Sequence, residues 1–203
     1  MNVEEILETG LAAMVPVYEE GNVTKVFARD GTVFLIRKTC KTVLKNLARF
    51  YGVDLAATRN YYGSCINKKQ GVPIPMAANL LLIPVKARKN PLGENDGTLG
   101  YVNFQEIKEV TDSQEGRCCI TFQCEKNLLT LVSRKTMREY IKNAQLVKSL
   151  YLNRHFQKYE EPSSQITALH DSGNKYKAEE NLLREYLLEL LLEVIRKNKN
   201  SGH

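Results

Sequence analysis

The first third of the chain alternates short apolar runs with turn-forming residues, and this pattern predicts an antiparallel meander. Residues 11–18, 23–28 and 32–36 are rich in β-branched and aromatic side chains, a composition typical of strands. The sequences Glu-Gly-Asn and Arg-Asp-Gly separate these runs and favour tight turns. We therefore expect three neighbouring strands joined by short loops.

A helix with one apolar face is predicted to follow. Thr39 is a favourable N-cap residue, and Gly52 is typical of a helix C-terminus. Between them, apolar residues recur at helical spacing and share one side: Val43, Leu44, Leu47, Ala48 and Tyr51. Glycines and prolines then indicate irregular chain over residues 54–79, with a helical turn at about residues 56–61.

The middle of the chain predicts a buried strand and a second meander. Residues 80–85 are almost continuously apolar, and a basic tip and the polar loop 90–98 come after them. Strand-like alternation recurs at residues 99–103, 105–111, 117–123 and 127–132. Thr136 and Glu139 have the spacing of a capping box, which predicts a long amphipathic helix. We expect an α+β fold with two antiparallel β meanders, packed helices and a C-terminal helix.

The last part of the chain is expected to form a separate unit. Residues 160–174 are polar and turn-rich, which divides the chain into a domain at 1–159, this linker and a helical tail at 175–203. Ten of the fourteen residues from 182 to 195 are apolar, so a helix here must be buried. It packs on its own domain or meets a second copy of the chain. In the second case the oligomerisation residues are Leu183, Leu187, Leu190, Leu191 and Val194.

Charge is distributed unevenly along the chain. Residues 32–92 contain eleven Lys or Arg and one acid, Asp54, for a formal charge of +10, whereas the whole chain has +6. Like charges at this density repel one another, and a polyanionic partner relieves the repulsion. Lys41, Lys45 and Arg49 recur every four residues and form a stripe on the predicted helix. The stripe is either a solvated lysine-rich face or a surface that faces phosphates, and we favour the second.

Several other classes of protein lack support in the sequence. Three histidines, no Gly-rich phosphate-binding motif and a single acid in the basic block argue against an enzyme, including a metal-dependent nuclease. The cysteines have no zinc-ligand spacing, and we expect no metal or cofactor. The odd number of cysteines and the lack of a cleavable apolar start indicate a cytoplasmic protein. The longest apolar stretch is too short and too charged to span a membrane.

The sequence does not predict a helix-turn-helix. A second strong amphipathic helix is not evident after Gly52 and a short turn. Basic loops that carry Asn60 can instead enter the minor groove, where groove width and A·T content are read. Tyr61 and Tyr62, beside Arg59, either stack on the bases of a single strand or anchor the core beneath the loop.

Short segments of the chain resemble the ComK family of bacterial competence transcription factors. In order, they are Ala-Met-Val-Pro-Val-Tyr-Glu-Glu-Gly at 13–21, Phe34, Arg-Phe-Tyr-Gly at 49–52, Arg59, Pro-Ile-Pro at 73–75, the strand that ends at Pro84, Gly-Tyr at 100–101 and Ile-Lys-Glu at 107–109. The resemblance covers about residues 11–153 without large gaps. It departs from the family where Thr-Arg-Asn replaces Gly-Arg-Lys at 58–60 and where Gly-Tyr replaces Gly-Trp.

The resemblance implies a DNA-binding transcriptional activator. Such a protein recognises paired A/T-rich boxes through the minor groove of double-stranded DNA, acts as a homo-oligomer and assists RNA polymerase at promoters of DNA-uptake genes. Matched position by position, it points to Arg49 and Arg59. Charge and resemblance together give the candidate DNA-binding residues Lys41, Lys45, Arg49, Arg59, Asn60, Lys68, Lys69, Lys86, Arg88 and Lys89. The alternative is a protein–protein interaction module whose basic face binds an acidic partner.

Overall fold

The part of the chain that the structure describes contains four helices and nine strands. The structure is a computed structural model, and it describes residues 3–93 and 96–156. Two short 3-10 turns flank the seventh strand, at Phe104–Glu106 and Gln114–Gly116. The main elements, in chain order, are α1 (Val3–Thr9), β1 (Leu11–Tyr18), β2 (Asn22–Ala28), β3 (Val33–Ile36), α2 (Cys40–Phe50), α3 (Leu55–Cys65), β4 (Ile74–Ala77), β5 (Leu80–Lys86), β6 (Leu99–Asn103), β7 (Ile107–Asp112), β8 (Cys118–Phe122), β9 (Asn127–Leu129) and α4 (Arg134–Phe156).

Six strands form the central sheet, in the order β3-β2-β1-β6-β5-β4. All neighbours in this sheet are antiparallel. The long pairing of β1 with β2 runs from Leu11 opposite Ala28 to Tyr18 opposite Asn22. In the middle of the sheet, β1 meets β6 through Met14, which lies opposite Tyr101. The sheet therefore joins two three-stranded halves that are distant in sequence.

The central sheet buries a hydrophobic core on each face, because side chains along a strand project alternately to opposite sides. One core contains α2 and the sheet residues that face it, and we call this side the α2 face. Its members include Val43, Leu44, Leu47, Met14, Leu82 and Tyr101. The other core contains α4 and a second sheet, and we call this side the α4 face. Its members include Met137, Ala144, Val147, Val15, Ile83, Ile120 and Phe122.

The second sheet is small and antiparallel, in the order β7-β8-β9. Its central strand contributes Ile120 and Phe122, which are fully buried. The ring of Phe122 lies 5.9 Å from that of Phe27, between ring centroids, and this contact ties β8 to β2 of the central sheet. The described residues thus form three layers: the helices α1 and α2, the central sheet, and the second sheet with α4.

The predicted α+β class with two antiparallel sheets and packed helices is confirmed. The assignment of residues 99–103 to the second meander is wrong, because these residues form β6, which pairs with β1 and β5 in the central sheet. Alternation along one strand reports which faces are buried, but it carries no information about the partner strand. Residues 99–103 were therefore assigned to the wrong sheet because long-range pairing, which the pattern does not report, sets the partner strand.

Three elements of the structure were not expected from the sequence pattern. They are α1, the full length of α3 and β4. In α3 only Tyr62 and Gly63 are buried, so the helix has no continuous apolar face to detect. Its start is fixed by Asp54, whose Oδ1 accepts hydrogen bonds from the backbone N–H of Ala56 and Ala57 at 2.8 and 3.0 Å. β4 tolerates Pro75 because it is an edge strand.

The two predicted helix caps have different outcomes. Thr39 is the N-cap of α2, as expected, and its side chain accepts from the backbone N–H of Thr42. Thr136 is not an N-cap, since α4 already begins at Arg134 and Ser133 Oγ accepts from the Thr136 N–H at 3.2 Å. The Glu139 carboxylate forms an ion pair with Lys68, and it does not cap the N-terminus of α4 as a capping box would.

The predicted linker, the tail helix and its oligomerisation residues (Leu183, Leu187, Leu190, Leu191 and Val194) lie outside the described residues. Their prediction therefore stands as made from the sequence. Within the described residues, no helix combines the length and the apolar character needed to cross a membrane.

Candidate nucleic-acid interface

A cleft of about 550 Å³ opens on the α2 face of the central sheet, and we call it the α2 cleft. Its walls come from the start of α2, from α3 and from the chain at residues 96–99. Three predicted DNA-binding residues, Lys41, Lys45 and Arg59, line it, and all three are exposed. Two separate helices thus bring cations from distant parts of the basic block to one concave surface.

The floor of the α2 cleft is apolar. Tyr101 and Leu44 are buried beneath it, whereas Leu99 at its edge is 44% exposed. The thiol of Cys40 also lies there, and burial raises its pKa to about 12, so it stays uncharged at neutral pH. Pro16 and Leu55 complete the apolar lining. The site therefore combines a cationic rim with a floor that carries no charge.

Within residues 3–93 and 96–156, the fold does not neutralise the cations of the α2 cleft. Among the described residues, no carboxylate oxygen lies within 4.0 Å of the charged nitrogens of Lys41, Lys45 or Arg59. Burial raises the pKa of Tyr101, and the Arg59 guanidinium opposes that rise. Since no described carboxylate forms an ion pair with these three cations, their charge is available to an anion.

Asp96 is the one acid among the described residues that line the α2 cleft, and its carboxylate already accepts hydrogen bonds. The Tyr18 hydroxyl donates to Asp96 Oδ2, and Asn22 Nδ2 donates to Oδ1 at 2.6 Å. The backbone N–H of Gly93 donates to Oδ2 at 3.1 Å. The Tyr18 hydrogen bond is the main cause of a lowered pKa for Asp96, which keeps it ionised. These bonds hold the carboxylate in a fixed place, and the three cations and this one carboxylate give the described lining of the α2 cleft a formal charge of +2.

Arg49 and Lys86 extend the cationic surface on the α2 face. Arg49 is exposed in the last turn of α2, on the same stripe as Lys41 and Lys45. Lys86 lies opposite Leu99 in the β5–β6 register, and residues that face each other across a strand pair project to the same side. Lys86 therefore stands next to the α2 cleft.

The other exposed candidates do not line the α2 cleft. Asn60 is exposed on α3, and Lys89 is exposed after β5. Lys68 and Lys69 lie between α3 and β4, and Lys68 Nζ is 2.7 Å from Glu139 Oε1 of α4. This ion pair places Lys68 beside α4, which packs on the opposite face of the central sheet.

The basic tip after residues 80–85 consists of Lys86, Arg88 and Lys89, and Arg88 is buried, not exposed as a side chain that contacts DNA would be. It is 7% exposed, whereas Lys86 and Lys89 are exposed. Its Nη2 donates to Asn22 Oδ1 at 2.9 Å, and its guanidinium carbon lies 4.0 Å from the centroid of the Tyr18 ring. The planar guanidinium of Arg88 stacks on the Tyr18 ring, whereas the strongly hydrated ammonium group of a lysine would stay in solvent. Arg88 thus holds the wall of the α2 cleft instead of lying at its surface.

Replacing Arg88 with alanine should destabilise the fold by about 2 kcal/mol. The reason is the loss of a hydrogen bond from a charged donor and of the stacking on Tyr18. The matched variant Lys89→Ala, at an exposed position, should change stability by less than about 0.5 kcal/mol. Urea denaturation measures both values. Equal stability of the two variants would contradict the structural role of Arg88.

The two tyrosines of α3 have different environments. Tyr62 is 4% exposed and belongs to the core on the α4 face. Tyr61 is 42% exposed, and the guanidinium carbon of Arg154 lies 4.6 Å from its ring centroid. The interpretation as a core anchor thus holds for Tyr62, while Tyr61 is partly covered by a cation.

Some residues of the α2 cleft were missed by sequence reasoning. Leu55, Leu99 and Asp96 carry no motif of their own, and they meet only through the packing of α3 and β6. For Tyr101 the sequence did give a signal, because Gly100 and Tyr101 resemble a Gly-Trp motif of the family. Within the described residues, no three His, Cys, Asp or Glu side chains gather in a group suited to a metal ion.

Comparison with known proteins gives a match to a protein family. A family model described as ComK protein matches residues 5–155, about three quarters of the chain. No curated protein and no solved structure gives a significant match. The matched range includes every residue of the α2 cleft.

Proposed function

Because the chain belongs to the ComK family of competence transcription factors, we propose that it is a DNA-binding transcriptional activator whose α2 cleft contacts double-stranded DNA. The observation that carries this proposal is the group of three exposed cations, Lys41, Lys45 and Arg59, around one cleft with no ion-pair partner among the described residues. Most protein–DNA hydrogen bonds go to phosphates and sugars, and such cations supply them.

The shape and lining of the α2 cleft suit one sugar–phosphate strand. The backbone of a duplex is a convex ridge with charged phosphates outside and apolar deoxyribose faces between them. Lys41, Lys45 and Arg59 on the rim bind the phosphates, and the exposed side chain of Leu99 packs against sugars. This contact positions the protein on the duplex without reading a base sequence.

Sequence preference then comes from the groove beside that strand. A/T-rich DNA has a narrow minor groove with a strongly negative potential, which attracts inserted arginine side chains. Arg59 and Asn60 are adjacent and exposed on α3, at the edge of the α2 cleft. With the cleft on one backbone strand, these two residues face the minor groove. We therefore propose recognition of A/T-rich promoter sites through this groove.

Self-association and contact with RNA polymerase complete the proposal. The apolar tail residues Leu183, Leu187, Leu190, Leu191 and Val194 join copies of the chain into a homo-oligomer. An oligomer presents more than one α2 cleft to DNA, so it reads paired A/T-rich boxes. Bound upstream of a promoter, it assists RNA polymerase.

Selection of bound duplexes from a random pool tests this function and the choice of groove. We expect A/T-rich duplexes to be enriched, and we expect a ligand of the A/T minor groove to displace the protein. Enrichment of G·C-containing sites that resist the ligand would contradict minor-groove recognition. Tight binding to polyglutamate that duplex DNA fails to displace would instead support the protein-interaction module.

A further inference from the structure

Three hydrogen-bond donors surround the Asp96 carboxylate on the wall of the α2 cleft. The Tyr18 hydroxyl and the Gly93 backbone N–H donate to Oδ2, and Asn22 Nδ2 donates to Oδ1. They come from the end of β1, from the start of β2 and from the chain between β5 and β6. We call Tyr18, Asn22 and Gly93 the donor cluster. Three separate parts of the chain thus direct hydrogen atoms at both oxygens of one anionic group.

Neighbouring hydrogen bonds fix the orientation of two of these donors. The Leu92 backbone N–H donates to the Tyr18 hydroxyl oxygen at 2.7 Å, so the O–H hydrogen of Tyr18 points to the carboxylate. Arg88 Nη2 donates to Asn22 Oδ1 at 2.9 Å, so the NH2 group of Asn22 points to the carboxylate. The donor cluster therefore presents hydrogen atoms alone to its occupant, and this arrangement suits an anion.

A buried positive charge lies behind the donor cluster. Arg88 is 7% exposed, and its Nε and Nη1 have no hydrogen-bond partner among the described residues. None of the ion pairs found in that part of the chain includes Arg88. A buried charge is costly when no opposite charge compensates it. The Tyr18 hydrogen bond is the main cause of the lowered pKa of Asp96, and the Arg88 charge adds to it.

The donor cluster offers a phosphate group the same contacts as it offers a carboxylate. A phosphodiester carries one negative charge on two non-bridging oxygens. Tyrosine hydroxyls, asparagine amides and backbone N–H groups all donate to such oxygens at protein–DNA contacts. Tyr18 is 38% exposed and Gly93 is exposed, so a group in solution reaches the cluster. Asn22 and Asp96 line the same cleft as the three cations that the proposed function assigns to the DNA backbone.

The Asp96 carboxylate opposes the approach of DNA at this place, because it repels a phosphate. It belongs to no ion pair among the described residues, so the fold does not need it to neutralise a surface cation. The adjacent Gly97 is exposed, and a Cβ atom there would meet no described atom within 4 Å. The Asp96 side chain thus has open space beside it into which it can turn.

We propose that the donor cluster is a phosphate site, which the Asp96 carboxylate fills in the free protein and a backbone phosphate of DNA takes over in the complex. The proposal rests on the proposed function, because the α2 cleft brings the DNA backbone to this wall. Asp96 is then an internal competitor of DNA, and it lowers the affinity of the protein for any duplex.

A cycle of two substitutions tests the proposal. Fluorescence anisotropy gives the affinity of the full chain, D96A, Y18F and D96A/Y18F for an A/T-rich duplex at about 0.15 M salt. D96A should bind about 10-fold more tightly, since the phosphate no longer competes with a carboxylate for the donors. Y18F alone should change the affinity less than about threefold, because the hydroxyl serves the carboxylate in the free protein and the phosphate in the complex. In the D96A background, Y18F should weaken binding about 10-fold, because only the phosphate then uses the hydroxyl.

A matched control and a second measurement accompany the cycle. E109A removes an exposed acid from β7 in the second sheet, and it should change the affinity less than about twofold. Circular dichroism checks that each variant is folded at the temperature of the measurement. Inorganic phosphate probes the donor cluster without DNA. The Gly93 amide signal in 15N–1H NMR spectra should shift when phosphate is added to D96A, and it should stay in place in the unmodified chain.

Three results would overturn the phosphate site and leave the proposed function intact. The first is an affinity of D96A for DNA that is unchanged or lower. The second is an effect of Y18F that is equal with and without Asp96, which would mean that Asp96 acts by repulsion alone. The third is a Gly93 signal in D96A that inorganic phosphate does not shift. If phosphate shifts this signal and D96A binds DNA no more tightly, the site takes free phosphate and the assignment to DNA is wrong. Failure of the unmodified chain and D96A to bind any duplex would overturn the proposed function itself.

Discussion

Neutralising the α2 cleft with K41Q/K45Q/R59Q should weaken DNA binding about 100-fold at about 0.15 M salt. Each cation that neutralises a phosphate releases condensed counterions from the duplex, and log K falls with log salt by about 0.9 per phosphate. Three lost contacts therefore remove about two orders of magnitude from the binding constant at this ionic strength. The loss should be similar for specific and random sequences, except where Arg59 also enters the minor groove.

Affinity measured against salt separates this effect from misfolding. If the unmodified chain engages about six phosphates, its binding should weaken by about three orders of magnitude between 50 and 200 mM salt. With three contacts left, K41Q/K45Q/R59Q should weaken only about 40-fold over the same range. The control K108Q/R117Q/K126Q, which changes three cations in the region of the second sheet, should keep the slope of the unmodified chain. Unchanged affinity of the cleft variant, or a flat salt dependence of the unmodified chain, would show that the interface is wrongly assigned.

The sequence predicts the helix α2 well because periodicity is a local property. The apolar face with Val43, Leu44 and Leu47 is fully buried, and the basic stripe with Lys41 and Lys45 is exposed. Both follow from 3.6 residues per turn, with no knowledge of the rest of the chain. One wall of the candidate site was therefore predictable from the sequence alone.

The rest of the α2 cleft depends on pairing over long distances, which periodicity does not report. Leu99 and Tyr101 reach the floor only because β6 pairs with β1 and β5. Arg59 lies on the rim of the cleft because α3 carries it there. Few residues of α3 are buried, so the sequence of this helix has no apolar stripe from which to predict it. These contacts are set by tertiary packing, so they became visible only in the structure.

Counting charges along the sequence identified the basic block at residues 32–92. It did not show which of these cations lie together in the folded protein. In the structure three cations of the block line the α2 cleft, Arg88 is buried, Lys68 and Lys69 lie beside α4, and the other five lie elsewhere on the surface. Arg88 stacks on Tyr18 and bonds to Asn22, and Lys68 pairs with Glu139. A sum of charges treats these cations as equal, whereas burial and ion pairing leave only some of them available to a partner.

The close packing of β6 supports the whole α2 cleft. β1 and β6 are in register through two residue pairs, Ala13 with Val102 and Met14 with Tyr101. At Gly100 the backbone of β6 passes so close to β1 that a Cβ atom would lie 2.7 Å from Val15 Cγ1 and 2.9 Å from the Met14 carbonyl oxygen. Glycine is thus required for this approach, and the position of Tyr101 follows from it.

Replacing Gly100 with alanine should destabilise the protein by about 3 kcal/mol, at the upper end of the cost of overpacking. The Met14 oxygen belongs to the backbone, so the clash is relieved only if β1 and β6 move apart. The unfolding temperature should fall by about 10 °C for a chain of this size. The matched variant Gly97→Ala meets no atom within 4 Å, so it should change stability by less than about 0.5 kcal/mol. Equal unfolding temperatures for the two variants, measured by differential scanning calorimetry, would show that β6 does not lie against β1 as described.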